Sequence, residues 1–202
     1  MLLNRVEKAL MNNPLRASLQ RRFEARRLLR MGGRMPGARA LEMGCGRGVG
    51  VELILNEFGA DRVDAFDLDP NMVKRAGERL VRYGDRVRLW VGDAAKVDGP
   101  DEAYDAVFDF GIVHHVPPWR TAVREAHRVL RPGGRLYAEE VLRDFIAHPF
   151  WRRVLEHPQE DRFDHEGFLA ELRASGFRIL GDRQLGDWFG WYVAEKRVPG
   201  VS

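Results

Sequence analysis

The chain has 202 residues, 45% hydrophobic and 31% charged, with a formal net charge of +3. That length suits one domain with a core of its own, and the mixed composition excludes collagen, coiled coil and intrinsic disorder. The single cysteine, Cys45, excludes an internal disulfide and Cys-rich metal sites.

Residues 1–35 precede the first strand and read as appended helices. MLLNRVEKAL puts charges where the apolar part of a signal peptide would sit, which predicts a cytoplasmic protein. Residues 1–40 hold ten Arg/Lys against Glu7 and Glu24, so a basic arm of +8 precedes a body that is acidic by five charges. Leu2, Leu3, Val6 and Leu10 share a helical face opposite Arg5 and Lys8, so the arm is also a candidate for contact with a membrane surface.

Ala38–Met43 reads as a strand, followed by the turn of Gly44, Gly46, Gly48 and Gly50 and a helix from Val51 to Phe58. Arg62–Asp67 is the next strand. Asp69-Pro70 then supplies an N-cap and a first-turn proline for a helix to about Val81. Arg86–Val91 and Tyr104–Phe110 are strands three and four, joined by a linker too short for a full helix. Pro117-Pro118 opens a helix with Ala122, Val123, Ala126, Val129 and Leu130 on its apolar side, stopped by Arg131-Pro132-Gly133-Gly134. Leu136–Val141 is the fifth strand. A helix from about His165 to Ala174 precedes two runs, Phe177–Gly181 and Trp188–Ala194, whose short connection demands an antiparallel hairpin. The expected fold is α/β: seven strands, mostly parallel, helices on both faces, and a C-terminal antiparallel hairpin. The expected organisation is one domain over 1–202, with an N-terminal extension (1–35), a binding core (38–141), a lid segment (142–163) and a C-terminal helix and hairpin (164–202).

Ligands of such sheets sit at the carboxyl ends of the strands. The glycine turn fails the G-x-G-x-x-G/A spacing of dinucleotide sites, because Val49 or Val51 stands where the third glycine is needed. Glu42 before the glycines is wrong for a pyrophosphate and right for an ammonium group. Glu42, Asp67, Asp93 and Asp109, at successive strand ends, predict an anionic pocket for a cationic ligand. Asp67 can accept from two ribose hydroxyls, with Asp69 left to cap the helix. Gly92-Asp93-Ala94 can read an adenine edge, or serve only as a turn.

The ordered set Glu-x-Gly-x-Gly-x-Gly, AFDLD, VGDA, YDAVFDFGIVHHV and LRPGGRL resembles the class I S-adenosylmethionine-dependent methyltransferases. It is most similar to the small-molecule branch that includes ubiquinone and menaquinone C-methyltransferases, over about residues 38–141. The resemblance implies a Rossmann-like fold and S-adenosyl-L-methionine as cofactor. It implies that Glu42 and the loop of Gly44, Cys45, Gly46 and Gly48 line the methionine portion. It places Leu68 beside the adenine, Asp67 on the ribose and Asp93 with Ala94 on the adenine. Asp109, Phe110 and Gly111 then lie near the sulfonium and the acceptor.

Methyl transfer needs a base only for a protonated acceptor. His114, His115, Glu139 and Glu140 are the candidates. Adjacent residues on an extended chain point opposite ways, so at most one histidine is expected to face the pocket, and one glutamate the site with the other toward a helix. No metal is expected, because no ligand spacing supports one. The Asn/Asp/Ser-Pro-Pro-aromatic motif of nucleic-acid amine methylation is absent after strand four, which argues against a nucleic-acid partner. The acceptor is expected to be a small, apolar or partly anionic molecule under a lid rich in Phe145, Ile146, Phe150, Trp151 and Leu155, interleaved with His148, Arg152, Arg153 and His157. A membrane-surface lipid methyltransferase and a non-catalytic partner subunit of the same fold are the alternatives.

Overall fold

The computed structural model describes residue 23, residues 25–147 and residues 161–200. The amphipathic residues at 1–22 and the lid residues at 148–160 lie outside the described residues.

A seven-stranded sheet organises the chain in the order β3-β2-β1-β4-β5-β7-β6. The strands are β1 (Arg39–Met43), β2 (Arg62–Asp67), β3 (Val87–Val91), β4 (Tyr104–Phe110), β5 (Leu130–Val141), β6 (Phe177–Leu185) and β7 (Phe189–Lys196). Strands β1 to β5 pair in parallel, and β7 runs antiparallel to both β5 and β6. Only β7 is therefore reversed: the hairpin inserts its second strand beside β5 and leaves β6 at the edge. Helices α1 (Ala25–Gly32), α2 (Val49–Leu53) and α3 (Pro70–Leu80) supply one apolar layer. On the other face lie α4 (Trp119–Val129) and α6 (His165–Ala174), while the short α5 (Arg143–Ala147) follows β5 and packs Phe145 on Phe189.

Local chemistry explains the element ends. Asp69 Oδ1 accepts from Asn71 N–H at 2.9 Å with Pro70 in the first turn, the cap expected for α3. Asp164 caps α6 in the same way through Gly167 N–H. Helix α2 runs on as a π-type turn over Ile54–Phe58 and stops at Gly59 (φ +81). This turn delivers Phe58 against Phe108 and Tyr137, with ring centroids 4.7 and 5.2 Å apart.

Two local expectations need correction. Arg131-Pro132-Gly133-Gly134 does end the helix, but the strand already begins at Leu130. The register jumps from Tyr104↔Leu130 to Ala106↔Arg135, so this stretch is an irregular bulge within β5, with Gly133 at φ +80. The hairpin strands also run on through Leu185 and from Phe189, leaving a much tighter turn than a 182–187 linker.

Helix α1 docks through its last glycine. The Tyr137 hydroxyl donates to Gly32 O at 2.9 Å, and a Cβ at Gly32 would overlap the Tyr137 ring and Val193. Gly32→Ala is expected to destabilise the fold by roughly 1–3 kcal/mol through overpacking, measured by urea denaturation.

Candidate active site

The carboxyl ends of β1, β2, β4 and β5 each carry an acidic residue, and each such residue gathers backbone N–H groups. Glu42 is 2% exposed on the face covered by α1 and α2. It accepts from Val51 N–H, while its Oε2 has no partner. Gly50 makes room for it, since a Cβ there would overlap Glu42 Oε1 and crowd Phe110. Burial, then the charge of Asp67, pushes the Glu42 carboxyl well above the ordinary carboxylate range. A cation beside it would reverse that preference. The turn above it is open at one point: Gly46 has φ +51 and nothing lies within 4 Å of where its Cβ would be. Gly44 and Gly48 are closed against Ile112 and Leu80. Cys45 turns its side chain into the core at 3% exposure, with its thiol pushed up by burial, so only its backbone belongs to the loop surface.

Asp67 binds β1's turn to β2. Its Oδ2 accepts from Gly46 N–H at 2.8 Å and its Oδ1 from Asp69 N–H at 2.9 Å. A carboxylate has about four acceptor positions, so two backbone bonds do not exhaust it. Leu68 stands beside it, 44% exposed, as an apolar surface at the strand end. Asp93 is exposed, and its Oδ1 accepts from Ala95 N–H at 2.8 Å, the local turn bond weighed against a ligand role; Ala94 is buried beneath it.

Asp109 does not point at the same face as Glu42. Its side chain, 1% exposed, lies on the α4 side of the sheet, where Oδ1 accepts from Ile112 N–H at 2.9 Å. There it meets Glu140, fully buried, whose oxygens accept from the N–H groups of Val113 (2.8 Å) and His114 (3.2 Å). Two carboxyls can bond only by sharing a proton. Burial and the charge of Glu140 hold Asp109 well above its usual range, and burial pushes Glu140 to about 7. Phe110 faces the Glu42 side instead, and Gly111 turns the chain at φ +79.

Glu140 also meets His114 Nδ1 at 2.5 Å. With the Nδ1 proton given to Glu140, the His114 Nε2 is left as the acceptor. The histidines do not sit on extended chain: they form a short 3-10 turn, Val113–His115, and their rings pack 4.0 Å apart, so the expectation that one faces away fails. Glu139 and Glu140 do alternate. Glu139 pairs in register with Phe110 and Trp191 on the α1 face, opposite to Glu140. The spacing arguments put Gly50 in the turn without its role of making room for Glu42, and they missed Ile112 and Arg162, for which an isolated residue gives no signal.

Residues 40–134 match the model of a family described as a methyltransferase domain. The chain is 30% identical to 2-methyl-6-phytyl-1,4-hydroquinone methyltransferase of Synechocystis, over 76% of this chain and 50% of that one. It is 36% identical to a probable S-adenosylmethionine-dependent methyltransferase of Mycolicibacterium smegmatis, over 84% of this chain and 66% of that protein. It therefore spans about half the length of several curated relatives it matches. Its fold is that of a chain in the complex between the Haloferax volcanii Trm112 methyltransferase activator and the putative methyltransferase, with TM-score 0.77 and 17% identity over 98% of this chain and 100% of that one.

Glu42, Asp109 and Glu140 all hold protons more tightly folded than unfolded. Each such group costs stability as pH rises above its ordinary value toward its folded one. Glu42→Gln, which keeps the neutral form, is expected to gain stability relative to the parent chain as pH goes from 5 to 8; melting temperatures at both ends measure it.

Proposed function

The chain belongs to the class I S-adenosylmethionine-dependent methyltransferases, and from that premise we propose that it methylates a small, apolar or partly anionic molecule. The observation that carries this reading is Glu42: a buried carboxylate with one oxygen held by Val51 N–H and the other without a donor, beside an open glycine turn. With its proton drawn off by a cation, that carboxylate receives an ammonium group, and it offers no donor to an NAD pyrophosphate.

When bound, S-adenosylmethionine supplies a sulfonium-activated methyl group for in-line displacement by the acceptor's nucleophile. In this reading Glu42 holds the ammonium, Asp67 the ribose hydroxyls, and Asp93 with Ala94 the adenine edge, while Leu68 covers one side of it. The Gly44–Gly48 turn brings backbone close to the ligand. Holding donor and acceptor in line contributes most of the rate, on the order of 7–11 kcal/mol for well-aligned reactions. His114 takes a proton from an acceptor that carries one, through Nε2, and Glu140 orients the ring and steadies the charge it gains. Cytoplasmic location is part of the same reading; no described helix is long and apolar enough to cross a membrane.

Calorimetry is expected to show S-adenosylmethionine and S-adenosylhomocysteine binding once per chain, and NAD not at all. NAD binding of equal strength would sink the reading. Asp67→Asn is expected to weaken cofactor binding by roughly 1.5–3 kcal/mol, the worth of a hydrogen bond to a charged group. Asp69→Ala, by contrast, is expected to cost about 1 kcal/mol of stability through the lost cap, with affinity unchanged. Equal affinities of these two variants would show that Asp67 does not touch the cofactor.

A further inference from the structure

Four arginines meet where the carboxyl end of β5, the start of α4 and the start of α6 converge. Three are neutralised: Arg120 by Asp161 and Glu171, Arg124 by Glu171, and Arg143 by Asp144 and Asp164. Arg162 is not. Its Nε, Nη1 and Nη2 are each shut off from solvent and have no hydrogen-bond partner among the described residues. Burial alone pulls its guanidinium down to about 10.

The chain on either side holds Arg162 in place. Asp161 sits at φ +51, a left-handed conformation uncommon for a residue with a Cβ, and Arg120 Nη1 grips both its oxygens at 2.5 and 2.6 Å. The neighbouring carboxylate is thereby committed elsewhere. Phe163 O accepts from Arg143 N–H at 3.0 Å, and its ring packs on Trp119 and Phe168 at 4.7 and 4.8 Å. Arg143, three residues beyond Glu140, opens α5 directly after the end of β5, and Trp119 follows His114 by five residues. Residue 162 thus stands beside the end of β5 that carries the proton-handling pair. A guanidinium keeps five donors and keeps its charge at neutral pH, so with its nitrogens shut off from water an anion against it would stabilise it.

We propose that Arg162 anchors the methyl acceptor by a carboxylate or phosphate oxyanion, which its planar fork binds through two parallel hydrogen bonds. This rests on the methyltransferase reading and narrows its acceptor class to anionic small molecules.

The test titrates the full chain by calorimetry with benzoate, phenyl phosphate and neutral benzamide, with and without S-adenosylhomocysteine. Wild-type protein is expected to bind at least one of the anions tenfold or more tightly than benzamide, and the tighter anion tells carboxylate from phosphate. The preference is expected to vanish in Arg162→Met and to be partly kept in Arg162→Lys. Without ligand, Arg162→Met is expected to melt at the same or a higher temperature, because an unpaired buried charge has gone. A lower melting temperature would reveal a structural partner and overturn the proposal. So would equal binding of anions and benzamide by the wild type, or an anion preference that survives Arg162→Met. If S-adenosylhomocysteine binds and the anion preference is absent, this proposal alone fails. If the anion preference is present and S-adenosylhomocysteine does not bind, Arg162 is an anion site, but the methyltransferase reading fails and the acceptor role falls with it.

Discussion

Carboxylates at the strand ends, taken out of water and turned on backbone N–H groups, are what the rest of the site depends on. Glu42 holds Val51, Asp67 holds Gly46 and Asp69, Asp109 holds Ile112, and Glu140 holds Val113 and His114. Loops that leave a parallel sheet have no ladder of their own, and their amides need acceptors. The acidic side chains provide them, and in doing so fix the curvature of every loop that a ligand would touch. Desolvation works against this arrangement. For Glu42, Asp109 and Glu140 it outweighs the backbone bonds, and their carboxyls end up more basic than usual.

Small residues make the burial geometrically feasible. Glu42 reaches its position only because position 50 lacks a Cβ, and Ile112 closes over Gly44 for the same reason. The conformational freedom of glycine is needed at Gly46 for a different purpose. There the backbone is left-handed and faces open space, so a substitution would strain the turn and fill the approach to the loop.

Strands β1 to β4 were legible because parallel, doubly covered strands are short branched or aromatic runs broken by glycine or acid, and RVDAFD and YDAVFDF fall where β2 and β4 do. Asp69 was legible as a cap, since capping is decided within three residues. What escaped depends on contacts distant in sequence. The bulge at Arg131–Gly134 is set by pairing with β4, and the face of Asp109 relative to Glu42 by the register that pairs it with Met43. The close packing of the His114 and His115 rings requires the 3-10 turn that Glu140 holds. Nothing in an isolated arginine separates Arg162 from the paired Arg120 or Arg143. The acidic residues at the strand ends were correctly located, but the single anionic pocket expected of them is divided: Glu42 and Asp109 lie on opposite faces, and Asp93 is in solvent.

That division follows from the two-residue period of a strand. Glu139 and Glu140 are adjacent and therefore opposed, and the same alternation sets Phe110 against Glu42 while sending Asp109 to Glu140. The electrostatic coupling is uneven as a result. The strongest charge on Asp109 is that of Glu140, whereas Asp109 is the weakest of the influences on Glu42. A cation arriving at Glu42 would release that residue's proton while leaving the proton shared by Asp109 and Glu140 largely undisturbed. Under the proposed function, the sheet would thus separate Glu42, facing the cofactor's charge, from the His114–Glu140 pair facing the acceptor's proton. Each can then be tuned by its own surroundings, although both hang on the ends of neighbouring strands.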